Sequence, residues 1–254
     1  MRLRILGSSG GIGAHCGSSS YLLDGTILLD AGTGLGAMTR EEMCAIRHVF
    51  LTHSHLDHIA ALPLLVDTIF EELTTPLIVH AQEATIKALR DHLLNWTIWP
   101  DFAELPNKHD PVMVYEPMAP GDVVEVDGKT FEMFPGDHVV PSVAYYVTDG
   151  ERSFCFSGDT TTNDAIWDGL NAKDSLDLLV VECAFPNRLE ELCRMAKHYC
   201  PSMLAEDLGK LRHRPRVGVT HLKPGGQDVT WLECVTAIEG FELFRVDCGM
   251  TLEV

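Results

Sequence analysis

The chain reads as a layered α/β fold, and three observations predict it. Short apolar runs of strand length alternate with stretches of helical period along the sequence. Residues of polar chemistry stand where those apolar runs stop: His53, Asp159, Glu182 and His221 each follow or end one. No repeat, low-complexity tract or linker breaks the 254 residues, and 46% of them are apolar, enough for a substantial core, so residues 1–254 read as a single domain.

Taken in order, residues 3–6 form a short strand. A glycine- and serine-rich loop follows and leads through His15, Cys16 and three serines. Asp24-Gly25 between apolar runs predicts a two-residue hairpin. Next, Gly32, Gly34 and Ala37 formally satisfy the G-x-G-x-x-[G/A] dinucleotide pattern. That pattern wants an acidic residue at the end of the following strand. Here the following strand ends in Thr52-His53, so a loop shaping a metal site is the better reading. Asp30 then either accepts from a ligand histidine or caps the turn.

Residues 58–72 read as a helix, with Pro63 early enough to be tolerated. A buried strand at 76–80 precedes an amphipathic helix at 82–94, where Ile86, Leu89, Leu93 and Leu94 recur at helical spacing. Residues 95–121, rich in Trp, Pro and acids, read as a loop or short-helix insertion. It either borders a site or covers the core or a subunit interface. β-structure resumes at 122–126 and 130–134, and again at 141–147 and 152–156, interrupted by Pro135-Gly136-Asp137-His138. A helix at 164–170, a buried strand at 176–182, a helix at 201–212 and a strand at 216–220 follow. Asp228 reads as the cap of a helix at 229–239, and two short strands finish the chain.

Thr52-His53-Ser54-His55-Leu56-Asp57-His58 occupies a strand-to-helix turn. His53 and His55 are two apart, so an extended backbone points both side chains the same way. Asp57 and His58 come where the chain begins to coil and turn toward a second point. One turn thus feeds two metal ions, with imidazoles and a carboxylate of the kind zinc accepts. A polar loop that happens to be rich in histidine gains nothing from this order before an apolar helix. The strand-end residues His138, Asp159 and His221 complete seven N and O donors. His80 and His92 have no close partners of ligand type.

The formal net charge of −18 opposes binding to a nucleic acid polymer, which depends on Lys and Arg at phosphates. It leaves small phosphorylated ligands open, because bound cations dominate a local field. No run approaches the ~18 apolar residues of a membrane span. The basic first residues enter a glycine loop without the apolar region of a secretory signal. The chain therefore reads as cytoplasmic, with Asn95-Trp96-Thr97 unused as a glycosylation site. Eight cysteines include no C-x-x-C pair and read as reduced thiols rather than a zinc ribbon. Neither Ser54 nor Ser157 lies in a G-x-S-x-G elbow, which disfavours serine catalysis.

The order H-x-H-x-D-H, then His138, then Gly158-Asp159-Thr160, then strand-terminal His221 resembles the metallo-β-lactamase superfamily over essentially the whole chain. The resemblance implies a four-layered αβ/βα sandwich. It implies one metal on His53, His55 and His138, a second on Asp57, His58 and His221, and Asp159 bridging. Two divalent ions per chain are expected, zinc first, with manganese or iron also suited.

Glu182-Cys183-Ala184-Phe185-Pro186, His198-Tyr199-Cys200-Pro201 and Thr220-His221-Leu222-Lys223-Pro224 resemble the class II cyclic-nucleotide phosphodiesterases. His138-Val139-Val140-Pro141-Ser142 and Ser157-Gly158-Asp159-Thr160 also resemble tRNA 3′-processing endonucleases, whose long basic arm does not appear here. The implied function is hydrolysis of 3′,5′-cyclic AMP or GMP to nucleoside 5′-monophosphates by a metal-bridged hydroxide. Asp57, His198 and Glu182 are the catalytic residues expected by similarity. His198 contacts phosphate or protonates the leaving oxygen, oriented by Glu182. It also reads as a surface residue at a helix N-terminus. The expected partner is a small phosphodiester, not a nucleic acid polymer or a membrane, and the resemblance implies a homodimer. Alternatives on the same fold are a tRNA 3′-endonuclease-like enzyme, a hydrolase of another small phosphodiester, or a lactone or thioester hydrolase. A ligand sensor on a decayed scaffold is the alternative of another class, disfavoured because all seven donors are present.

Overall fold

A computed structural model describes residues 1–13 and 17–254. Strands β1 (Arg2–Gly7), β2 (Ser20–Leu23) and β3 (Ile27–Ala31) are antiparallel neighbours. Asp24 and Gly25 between β2 and β3 both have positive φ, 48° and 83°, the turn that right-twisted strands require. Side chains alternate along these strands. Tyr21, Leu23, Ile27 and Leu29 therefore enter one core while Leu22 and Leu28 enter another. β4 (His48–Phe50), β5 (Leu77–Ala81) and β6 (Met113–Pro117) extend the sheet in parallel.

The second sheet holds β7 (Val123–Val126), β8 (Lys129–Pro135), β9 (Val143–Thr148), β10 (Ser153–Phe156), β11 (Leu178–Glu182), β12 (Arg216–Thr220) and β13 (Glu242–Arg245). Their order in space runs from β13 through to β7. β14 (Thr251–Glu253) returns to pair with β1. Tyr21, Phe50 and Leu29 from the first sheet meet Phe131, Tyr145, Phe154 and Val180 from the second in a core between the sheets.

Helices cover both outer faces. α1 (Arg40–Cys44) is capped reciprocally by Thr39 and Glu42. α2 (Leu56–Ile59), α3 (Leu62–Ile69) and α4 (Glu83–His92) follow. Leu62, Leu65, Val66, Ile86 and Leu89 seal the first sheet's outer face against Leu28, Val49 and Val79. α5 (Ala165–Asn171), α6 (Glu190–Ala196), α7 (Pro201–Leu208) and α8 (Gln227–Ala237) do the same for the second sheet. There Ile166, Trp167, Leu204 and Cys234 pack on Leu179, Val181 and Val217. Three apolar interfaces thus separate four layers, the αβ/βα sandwich.

Several elements differ from the sequence reading. The expected helix at 58–72 is two helices, because Pro63 in the first turn of α3 has no N–H to continue α2's bonding. The segment 95–121 contains strand β6, whose pattern is hidden by Pro111 before it and Pro117 at its end, tolerated because it lies at a sheet edge. Within that segment Phe102 is buried in the outer core, with Trp99 and Leu105 packed against it. α7 stops at Leu208 rather than 212, with Gly209 at its C-terminus. Gly226 occupies the cap position of α8, and Asp228 instead pairs with Arg245 at 2.8 Å. The seven described cysteines are free thiols, and His15 and Cys16 lie outside the described residues. Among the described residues no helix is long and apolar enough to cross a membrane.

Candidate metal centre

The C-terminal ends of the parallel strands gather at one rim, the usual place for a site in such sheets. Asp30, at the end of β3, is fully buried beneath it. Its carboxylate accepts from the Thr52 N–H at 2.8 Å, from the Thr52 hydroxyl at 2.9 Å and from His58 Nδ1 at 2.7 Å. One side chain therefore fixes both the Thr52–His58 turn and a ring within it. With Nδ1 so engaged, His58 directs Nε2 at Asp159 Oδ1, 3.3 Å away. Of Asp30's two sequence readings, acceptor and cap, the geometry selects the acceptor.

The other rings are oriented in the same manner. His138 Nδ1 donates to the Lys197 carbonyl at 2.8 Å, which turns Nε2 to within 3.1 Å of His55 Nδ1. His53 Nδ1 lies 3.0 Å from the Thr52 hydroxyl. His221 Nδ1 lies 3.5 Å from the Ser19 hydroxyl. Asp159 projects from the turn after β10, where Gly158 (φ 57°) packs so closely that an added Cβ would come 2.8 Å from Thr52. Asp159 Oδ2 is 3.7 Å from His53 Nε2 and 3.3 Å from His221 Nε2. Asp57 is half-buried, with Oδ2 3.8 Å from His221 Nε2 and 4.0 Å from His58 Nε2.

The structure brings all seven predicted donors together. His53, His55 and His138 form one group with Asp159; Asp57, His58 and His221 form another with the same Asp159. Within each group the donor atoms lie within 4.8 Å of one another. Asp30 and His221 adopt positive φ, 57° and 60°, a conformation that persists where surrounding contacts impose it.

The residues fit divalent metal ions. The Nε2 atoms of His53, His58 and His221 are buried without a hydrogen-bond partner, a costly arrangement unless a cation takes their lone pairs. Burial holds His53 and His221 well below the ordinary histidine range, lowers His55, and brings His138 to about 4. A neutral ring is the form that ligates. Burial works against a charged His58, but Asp159 and Asp30 outweigh it and raise its pKa well above the ordinary value. Burial would likewise push Asp159 up, yet the neighbouring His221 and His58 hold it well below the ordinary range, as a carboxylate.

Glu182, the last residue of β11, is fully buried beside this cluster. Its Oε1 accepts from the Thr160 N–H at 3.1 Å and from His198 Nδ1 at 2.8 Å, and Oε2 accepts from the Tyr199 N–H at 3.4 Å. His198 is buried, which corrects its reading as a surface residue. Its ring centroid lies 4.9 Å from that of His138 and 5.4 Å from that of His221. Burial lowers the His198 pKa, but Glu182, with Asp159 adding to it, outweighs burial, so the net shift is upward. Lys197, at φ 53°, sends its carbonyl to His138 while the next residue reaches Glu182.

Sequence reasoning missed the parts played by Thr52 and Lys197. Neither type signals its role, since a hydroxyl beside a ligand and a non-glycine at positive φ are set by tertiary contacts. Gly32 of the dinucleotide-like pattern lies against the Thr52–His58 turn. A Cβ there would sit 2.2 Å from the Asp57 carbonyl oxygen, so close packing explains this glycine. His80, away from the cluster, stacks on Phe50 at 4.2 Å, and His92 is exposed at the end of α4.

Fold and donor set together define the scaffold of a metal-dependent hydrolase, suited to a dinuclear divalent centre. The profile of a family described as "Beta-lactamase superfamily domain" matches residues 25–237, and the chain belongs to that family. It is 26% identical over 213 residues to a probable 3′,5′-cyclic-nucleotide phosphodiesterase of Yersinia pestis, covering 73% of this chain and 60% of that one. It is 31% identical over 156 residues to a ribonuclease Z of Methanococcus maripaludis, covering 57% and 48%. The chain thus spans about half to three-fifths of the length of these curated relatives. The crystal structure of unliganded yeast PDE1 superposes with a TM-score of 0.83 at 17% identity, over 100% of this chain and 99% of that one, and shows the shared fold. A ribonuclease Z among the relatives leaves the expected exclusion of nucleic acid without support from similarity.

Proposed function

We propose that the protein hydrolyses phosphodiesters and that its substrate is a 3′,5′-cyclic nucleotide. The Glu182–His198 pair carries this reading: a buried, acid-held imidazole stands beside the donor cluster where a departing alkoxide needs a proton. The name of the Yersinia relative supports the choice of cyclic nucleotide. His53, His55, His138 and Asp159 would hold one ion, and Asp57, His58, His221 and Asp159 the other. A bound pair supplies Lewis-acid charge stabilisation and lowers the pKa of a water.

The chain's own residues do the rest. Asp30, Thr52 and the Lys197 carbonyl fix the rings. As water adds to phosphorus and loses one proton to solvent, the P–O3′ bond breaks and His198 gives its Nε2 proton to O3′, to be recharged from solvent, with Glu182 holding Nδ1. The product is a nucleoside 5′-monophosphate. Because one centre draws donors from both sheets, residues 1–254 act as one domain in this reading.

The test is turnover of cyclic AMP and cyclic GMP by metal-loaded protein, with 5′- and 3′-monophosphates resolved by chromatography. Metal-dependent release of 5′-monophosphate is expected. Two bound metals with turnover of a thioester or lactone, and none of a cyclic nucleotide, would move the substrate to carbonyl esters. RNA 3′-processing is the second reading, favoured by the ribonuclease Z relative and opposed by the net charge of −18. A precursor tRNA in the same assay separates the two.

A further inference from the structure

Lys223 stands two residues after His221, and the chemistry above gives its ammonium no task. Its Nζ donates to the Gly10 carbonyl at 2.6 Å and lies 3.9 Å from Asp57 Oδ2. The second distance is too long for a hydrogen bond. An ammonium has three donors, so two remain for a ligand. The side chain is 29% exposed, open to solvent yet held. A Cβ on Gly10 would come 2.9 Å from Lys223 Cδ, and the Lys223 N–H is tied to the Ala184 carbonyl at 3.1 Å. The stem is therefore packed and the charge fixed in place.

That charge lies beside Asp57, and Lys223 follows His221 with only Leu222 between them. The ammonium thus stands at the edge of the Asp57–His58–His221 group. A phosphodiester bound at that group would bring its anionic oxygens to the same edge. An anionic substrate approaches this chain against a formal charge of −18. A held cation in a part-buried mouth attracts an anion far more strongly than one in bulk water.

We propose that Lys223 is a substrate-binding residue whose ammonium takes a non-bridging phosphate oxygen, selecting anionic phosphoesters over neutral carbonyl esters. The proposal rests on the phosphoester reading above. Its competitor is a purely structural tie to Gly10. Lys223→Gln separates the two, because an amide can still donate to the Gly10 carbonyl without carrying charge. Lys223→Arg keeps the charge, and Lys223→Met removes both.

The experiment measures metal content, the Kd for adenosine 5′-monophosphate by calorimetry at several salt concentrations, and KM and kcat for cyclic AMP. In K223Q and K223M, Kd and KM rise about tenfold, the loss of one charged hydrogen bond. KM moves more than kcat, both metals stay bound, and K223R stays near wild type. The wild-type Kd also weakens with salt more steeply than that of K223Q. Should a variant not fold, a salt-independent wild-type Kd overturns the proposal by itself. Binding by K223Q as tight as wild type overturns it too. If wild type turns over no cyclic nucleotide, yet K223Q loses nucleotide binding, the anchor stands and the cyclic-nucleotide reading fails. If cyclic AMP is hydrolysed with the same KM in K223Q, the anchor fails and that reading stands.

Discussion

Asp30 serves three partners with one carboxylate, and its replacement separates orientation from ligation. In Asp30→Asn the side chain keeps its shape and tolerates positive φ, but His58 loses its anionic acceptor. Metal affinity should fall about 10–100-fold, as for other ligand-orienting partners, in a titration against a competing chelator. His53→Ala removes a donor and should lose metal and turnover together. His198→Ala should keep both metals while turnover drops about 10²–10⁴-fold. Full turnover in that variant would remove the residue from the mechanism. At this scale the convergence of donors is legible because H-x-H-x-D-H is local and His138, Asp159 and His221 each mark an interruption of apolar sequence. Lys197 is illegible, because its left-handed backbone answers to His138 and Glu182, residues far away in sequence.

At the scale of elements, Gly32 and Asp24 make the sharpest cases. Gly32→Ala would thrust a methyl against the Asp57 carbonyl and the Ser18 hydroxyl, at 2.2 and 2.5 Å in the present geometry. The Thr52–His58 turn must shift, and lowered metal content after dialysis is the expected reading. Asp24 closes the β2–β3 hairpin, accepting from the Arg2 N–H and Lys129 Nζ, each at 2.7 Å. Burial pushes its carboxyl up, but the bonds from Lys129 and Arg2 prevail and pull it below the ordinary value. A depressed carboxyl stabilises the fold above its unfolded pKa of about 3.9, and that gain is lost as pH falls through the folded value. Asp24→Asn should therefore cost about 0.5–1 kcal/mol in urea unfolding at neutral pH, a difference that closes in acid. The hairpin is legible because Asp-Gly states its own turn. The break between α2 and α3 and the edge strand β6 are obscured by proline, which sequence periodicity treats only as punctuation.

A filled centre would tie the whole molecule together, because the donors of either group come from both sheets. An ion held at 100 times its Kd adds about 2.7 kcal/mol to folding, and about 1 kcal/mol moves the Tm of a chain this size by about 2–4 °C. Stripping two such ions with a chelator should lower Tm by about 10–20 °C in a scanning experiment. An unchanged Tm would deny that the cluster binds metal in the folded state. The layered class is legible from alternation alone; which strands share a sheet is not, since β14 pairs with β1 from the far end of the chain.

His53, His55, Asp57 and His58 hang from the first sheet, while His138, Asp159 and His221 hang from the second, with the exposed residues 119–122 joining the two halves. Ions shared across that seam would act as rivets between two plates. A chain cut at the connector gives two fragments, neither of which owns a full set of donors. Their association should tighten with divalent ions and loosen with chelator, a split sensor that reports metal by reassembly.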